Sequence, residues 1–92
     1  MNSLNELYQT LESRKTADPN ASYTARLMQS GPDEILKKIG EESVEIILAA
    51  KGQGNERLVE EIADLTYHVL VLLIQKEISL SAITDELNKR KK

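Results

Sequence analysis

The sequence predicts an all-α fold, a bundle of four to five helices that homodimerisation completes. Apolar residues recur at helical spacing along most of the chain, and no stretch alternates apolar and polar residues as a strand would. Gly52-Gln53-Gly54-Asn55 marks a short turn between two long helical stretches, so these helices are expected to form an antiparallel pair. For a chain of 92 residues we expect one domain, over residues 1–92.

Two helices separated by a loop are predicted in the first third of the chain. Ser3-Leu4-Asn5-Glu6 matches a capping box, and one apolar face then follows at helical spacing: Leu4, Leu7, Tyr8 and Leu11. Asp18-Pro19-Asn20 indicates a loop. Ser22 or Thr24 then caps a short second helix that runs to about Gln29.

Two long helices come next, from about Pro32 to Lys51 and from about Glu56 to Glu77. The apolar face of the third helix contains Ile35, Leu36, Ile39, Ser43, Ile46, Ile47 and Ala50. The polar strip of the fourth helix contains only Glu61, Asp64, His68 and Gln75. Val69–Ile74 is apolar on every side, and so short a chain has limited means of covering it. We therefore expect this segment to form the central contact of a homodimer.

A last helix is expected after Ser79, which suits an N-cap, with an inner face formed by Leu80, Ile83 and Leu87. The net charge of −3 and the scarcity of aromatic residues disfavour nucleic-acid and membrane-surface binders. The longest apolar run is too short to span a bilayer. The absence of cysteine excludes disulfides and thiolate zinc sites, and we expect a cytoplasmic protein.

Four carboxylates are placed symmetrically about the predicted turn. Glu42 and Glu45 lie three residues apart on one helix, and Glu61 and Asp64 lie three apart on the next. Glu45 and Glu61 are equally distant from Gln53, and the outer two acids are likewise equidistant. In an antiparallel pair these acids converge on one small volume, which is unfavourable unless a cation such as Mg²⁺ lies there. The alternative is a solvated acidic stripe.

Basic residues next to these acids are candidates for phosphate binding. Lys37 and Lys38 precede the acids by one turn, and Lys38 falls between Glu42 and Glu45 on the helical wheel. The alternative for Lys38 is an ion pair with Glu42 or Glu41. Further candidates, each also explained as a surface charge, are Arg14, Lys15, Arg26 and Lys51.

His68 lies one helical turn after Asp64, level with Lys38 in the predicted pair. A histidine at this position either orients the Asp64 carboxylate without binding the metal itself, or contacts the substrate. The alternative is a hydrogen-bonded histidine on a mostly buried helix.

The acidic residues follow the pattern Glu-Glu-x-x-Glu and then Glu-x-x-Asp, formed here by Glu41-Glu42-Ser43-Val44-Glu45 and Glu61-Ile62-Ala63-Asp64. The surrounding motifs are Ser22-Tyr23-Thr24-Ala25-Arg26-Leu27, Leu36-Lys37-Lys38-Ile39-Gly40-Glu41-Glu42, Ala49-Ala50-Lys51, Ala63-Asp64-Leu65-Thr66-Tyr67-His68 and Ile78-Ser79-Leu80. With these motifs the chain resembles the phosphoribosyl-ATP pyrophosphohydrolase family, within the MazG-like all-α pyrophosphohydrolase superfamily. The resemblance covers nearly the whole chain.

The resemblance implies that phosphoribosyl-ATP and water give phosphoribosyl-AMP and pyrophosphate with magnesium, the second step of histidine biosynthesis. It implies a catalytic set of Glu41, Glu42, Glu45, Glu61 and Asp64, of which all but Glu41 bind the metal. Substrate contacts are expected from Thr24, Lys37, Lys38, Lys51 and His68. Arg26 departs from the family, in which lysine is frequent there. Many relatives carry a cyclohydrolase domain that binds zinc through cysteines, so we expect a separate cyclohydrolase protein to act next.

Two other functions stay open at this point. The acidic pattern is shared by housekeeping hydrolases of other nucleoside triphosphates, which a substrate panel distinguishes. A non-catalytic dimeric helical adaptor would carry the same acids as surface residues, and would gain no thermal stability from magnesium.

Overall fold

The computed structural model describes residues 3–91, which form five α-helices and no strand. The helices are α1 (Ser3–Ser13), α2 (Tyr23–Gln29), α3 (Pro32–Gly52), α4 (Asn55–Gln75) and α5 (Leu80–Arg90). The all-α prediction is confirmed, and the ends of the long helices lie close to the predicted ones. No helix within residues 3–91 is both long and apolar enough to span a membrane.

The turn between α3 and α4 is formed as predicted, and these two helices make the most extensive contact between helices. The backbone N–H of Gln53 donates to Ala49 O at 3.1 Å and ends α3. Gly54 then takes a positive φ of 89°, a conformation that residues with a side chain rarely adopt. Gly54 therefore allows α4 to return along α3.

Caps determine where the short helices begin. The Ser22 hydroxyl accepts a hydrogen bond from Ala25 N at 3.1 Å, so Ser22 rather than Thr24 caps α2. Ser79 caps α5 in the same way. The capping prediction for Ser3 is wrong, because Ser3 already lies within α1.

The second half of α4 lies at the centre of the hydrophobic core. α1, α2 and α3 all contact α4, and the buried cluster contains Leu11, Leu27, Met28, Ile35, Leu70, Val71, Leu73 and Ile74. Val71 is completely buried within its own chain, and Ile74 is only 2% exposed. The expectation that Val69–Ile74 forms the central dimer contact is therefore wrong for its buried members, because α1 and α2 fold over them.

The predicted inner face of α3 is only partly buried. Ile35 is buried, and Ile39 and Ile46 are half-buried. The other predicted members are exposed, namely Leu36, Ser43, Ile47 and Ala50. The prediction is wrong for these four because α4 covers the side that carries Ile35 and Ala49, which are fourteen residues apart and share a face.

α5 contributes little to the core of this chain. Leu80 is half-buried against the core cluster, whereas Ile83 and Leu87 are 40% and 60% exposed. The predicted inner face is therefore wrong for Ile83 and Leu87 within a single chain.

Candidate active site

Glu42 of α3 and His68 of α4 form a short hydrogen bond between the two long helices. The Nδ1–H of His68 donates to Glu42 Oε1 at 2.6 Å, and their side chains are only 8% and 14% exposed, respectively. Helical side chains lean toward the N-terminus of their helix. The Glu42 side chain thus leans away from the turn between α3 and α4, and the His68 side chain leans toward it. The two side chains therefore meet, although their backbone positions in the antiparallel pair are offset by one helical turn.

The surroundings of His68 determine which ring nitrogen carries the proton and how the ring is oriented. Nδ1 also lies 3.0 Å from the backbone oxygen of Asp64, and because both neighbours are acceptors, Nδ1 carries the proton. Nε2 lies 3.4 Å from the Tyr23 hydroxyl, and the Tyr67 ring packs edge-on at 5.0 Å. His68 is therefore a buried, hydrogen-bonded residue that orients Glu42. The prediction that His68 orients the Asp64 carboxylate is wrong, because the contact between these residues is to the backbone oxygen of Asp64.

Glu61 is the most deeply buried carboxylate of the predicted set. Its side chain is only 6% exposed, and Arg57 Nη2, one turn earlier on α4, lies 3.0 Å from its Oε1. Arg57 is half-exposed and also reaches Glu60 Oε1 at 3.4 Å. A carboxylate this buried needs a cationic partner, and Arg57 supplies it.

The remaining acids differ in exposure, since Glu45 is half-buried whereas Glu41 and Asp64 are exposed. Within residues 3–91, no three His, Cys, Asp or Glu side chains are grouped closely enough to hold a metal ion. The structure thus places the four predicted ligands along the α3–α4 pair without gathering them around one point. Their chemistry fits magnesium, which takes hard oxygen donors and often uses only one or two carboxylates together with substrate phosphates.

Lys38 lies on α3, one helical turn before Glu42. It is half-buried and lines an open cleft of about 460 Å³ between α2 and the start of α3, here named the α2–α3 cleft. It forms no ion pair within residues 3–91, so the alternative pairing with Glu42 or Glu41 is not formed. Lys37 and Lys51 are exposed and lie outside the lining of this cleft.

Thr24 does not lie at the surface of the site. It is 8% exposed, and its hydroxyl forms a hydrogen bond with the hydroxyl of Tyr67. This bond joins α2 to α4 and holds Tyr67 against His68. The structure thus gives Thr24 a supporting position in place of the expected contact with the substrate.

Three residues of the site were missed as individual candidates: Tyr23, Arg57 and Tyr67. The spacing of Arg57 and Glu61, four residues apart on one helix, was a readable signal for their ion pair. The contacts of Tyr23 and Tyr67 depend on how α2 packs on α4, for which the sequence carries no local signal.

Comparisons with known proteins agree on one family. A family model described as phosphoribosyl-ATP pyrophosphohydrolase matches residues 4–91. A phosphoribosyl-ATP pyrophosphatase of Clostridium botulinum is 48% identical over 90 residues, which are 98% of this chain and 82% of the relative. Its counterpart in Listeria welshimeri is 51% identical over 87 residues, covering 95% and 84% of the two chains. That of Lactiplantibacillus plantarum is 49% identical over 90 residues, covering 98% and 85%.

Proposed function

Because the chain belongs to the phosphoribosyl-ATP pyrophosphohydrolase family, we propose that it hydrolyses phosphoribosyl-ATP to phosphoribosyl-AMP and pyrophosphate, the second step of histidine biosynthesis. One observation carries the proposal: the family match extends over residues 4–91, and relatives that bear this enzyme's name are about half identical to the chain. We place the activity in the cytoplasm, where a biosynthetic enzyme meets its metabolite.

Magnesium is the proposed cofactor, and Glu42, Glu45, Glu61 and Asp64 are its proposed ligands. The hard oxygen donors of these four side chains, on facing helices, support the assignment. When bound, the metal supplies charge neutralisation for the polyphosphate and lowers the pKa of a water molecule that attacks it. Glu41 is exposed beside this set and is proposed as a further acidic group of the site.

Neighbouring residues of the chain orient these carboxylates or compensate their charge. His68 holds one oxygen of Glu42 by a hydrogen bond, which leaves the other oxygen of that carboxylate for a ligand. Arg57 compensates the charge of Glu61, which would otherwise be costly to bury. Lys38, half-buried and without an ion pair in the described residues, is proposed to hold a phosphate of the substrate beside Glu42. Lys37 and Lys51 remain proposed as outer phosphate contacts from their exposed positions.

A homodimer is proposed through an apolar strip on α4 formed by Val59, Ile62, Thr66 and Val69. Val59 and Ile62 are 66% and 45% exposed, and the Thr66 hydroxyl is satisfied within the helix, where it donates to Ile62 O at 2.8 Å. The strip continues into an apolar groove of about 240 Å³ where α5 approaches α4. A second copy of the chain would cover this surface, which is unusual on a monomer.

The oligomer is tested by light scattering of the native chain and of Ile62→Lys. We expect a native dimer and a folded Ile62→Lys monomer, with Leu36→Lys, an exposed apolar position on α3 outside this strip and groove, as the control that stays dimeric. A native chain that is fully active as a monomer would contradict the dimer.

The proposed activity is tested with a panel of phosphoribosyl-ATP, ATP and dUTP at equal concentration with magnesium. We expect strong preference for phosphoribosyl-ATP. Comparable rates on ATP or dUTP would point to a housekeeping triphosphate hydrolase, and an inert protein would contradict an enzymatic role.

A further inference from the structure

The α2–α3 cleft carries charges of both signs next to an aromatic ring. Arg26 and Tyr23 of α2 face it from one side, and Asp33 and Glu34 from the first turn of α3 line the other. The Arg26 guanidinium lies over the Tyr23 ring, 5.5 Å from its centroid, and Nη1 donates to Pro19 O at 3.4 Å. These two contacts hold the Arg26 guanidinium beside the cleft.

The opposite charges of the cleft do not neutralise one another. Within the described part of the chain, neither Arg26 nor Lys38 forms an ion pair with Asp33 or Glu34. The cleft therefore offers cations and carboxylates to a ligand at the same time. A bare polyphosphate would be repelled by the acids, whereas a sugar phosphate matches both groups. Its phosphate pairs with a guanidinium, and its hydroxyls donate hydrogen bonds to carboxylates.

The α2–α3 cleft lies next to the residues that contact or precede Glu42. Tyr23 lines the cleft, and its hydroxyl lies 3.4 Å from Nε2 of the same His68 that holds Glu42. Lys38, one turn before Glu42 on α3, lines it as well. One ligand can thus reach from the carboxylates into the cleft. The substrate of the proposed function has two distinct ends, a triphosphate and a second ribose phosphate attached to the base.

We propose that the α2–α3 cleft binds the phosphoribosyl group of the substrate, with Arg26 on its phosphate and Glu34, with Asp33, on its ribose hydroxyls. This assignment rests on the proposed function and adds to it the subsite that separates phosphoribosyl-ATP from ATP. The triphosphate lies at the other end, beside Lys38 and Glu42.

The test is calorimetric binding of phosphoribosyl-AMP and of AMP, which differ only by the phosphoribosyl group. Arg26→Gln weakens phosphoribosyl-AMP about tenfold, the loss of one charge-assisted hydrogen bond, and leaves AMP unchanged. Arg90→Gln is the matched control, an exposed arginine on α5 outside the cleft. Glu34→Gln weakens phosphoribosyl-AMP about threefold. Its control is Glu56→Gln, which removes an acid from the first turn of α4 in the same way.

Each outcome decides the proposal. A loss confined to phosphoribosyl-AMP and to the cleft variants supports it. An equal loss for AMP would mean that Arg26 holds the common nucleotide part, and no loss would remove Arg26 from the site; either result overturns the proposal. Pyrophosphate release from phosphoribosyl-ATP by the native enzyme is measured alongside, so that failure of the cleft assignment is distinguished from failure of the proposed function.

Discussion

Replacing His68 tests the hydrogen bond that holds Glu42 in place. Phenylalanine keeps an aromatic ring of similar size and removes the Nδ1–H that donates to Glu42 Oε1 at 2.6 Å. Asparagine has an amide N–H that reaches nearly the same position as Nδ1 and restores the donor. The two variants therefore separate loss of the donor from loss of the ring.

The magnitude follows from burial and charge. Both side chains are at least 86% buried, so water does not replace the lost donor, and a hydrogen bond to a charged group contributes about 1.5–3 kcal/mol. We expect His68→Phe to lower the free energy of unfolding by about 2 kcal/mol and kcat by about tenfold or more. His68→Asn should recover most of kcat even though it loses the ring contact with Tyr67.

The assay combines urea unfolding at one fixed protein concentration with kcat and KM as functions of magnesium. If His68 only filled space, His68→Phe, which keeps the ring, would lower stability less than His68→Asn, and the magnesium concentration at half-saturation would stay unchanged in both variants. A residue that orients Glu42 raises that concentration in His68→Phe and less in His68→Asn. If the two variants have the same kcat and the same magnesium dependence, the positioning role of His68 is refuted.

Four further outcomes are expected. Glu42→Gln and Asp64→Asn each lose most turnover while the circular dichroism spectrum stays native, because the amide keeps the shape and removes the charge; near-native rates would exclude the carboxylate site. Lys38→Met raises KM or lowers kcat without changing helix content, and unchanged kinetics would remove Lys38 from the phosphate contacts. Val71→Lys unfolds the chain itself, because Val71 is completely buried; a folded monomer would contradict the core described above. Magnesium raises the melting temperature of the native chain by linkage and that of Glu42→Gln by less, and equal shifts would argue against Glu42 as a ligand.

Local patterns in the sequence predicted much of the fold. Gly54 of the 52–55 turn and the serines before α2 and α5 act on the backbone within four residues of themselves, and their effects were readable from the sequence. Which side of α4 becomes buried depends instead on α1 and α2, which lie about forty to seventy positions before the buried end of α4 and contact it only in the folded state. For that reason the residues of Val69–Ile74 that α1 and α2 bury were predicted to form a subunit contact.

In the candidate site, too, features set by local spacing were predicted and features set by packing between helices were not. The spacing of the acids placed Glu42 and Glu61 on facing sides of two helices, and both prove to be buried or nearly so. The partner of Glu42 was not predicted, because His68 reaches Glu42 through the lean of both side chains, a direction that a helical wheel does not represent. Tyr23 joins the site only because α2 packs beside α4.

The central claim is that this chain releases pyrophosphate from phosphoribosyl-ATP, and phosphorus NMR of the reaction tests it directly. The native protein is incubated with phosphoribosyl-ATP and magnesium, and spectra are recorded from the first turnover with no pyrophosphatase present. The account predicts pyrophosphate and phosphoribosyl-AMP appearing at equal rates, which places the cleavage between the α and β phosphates. Orthophosphate as the first product, or no reaction at all, would contradict it.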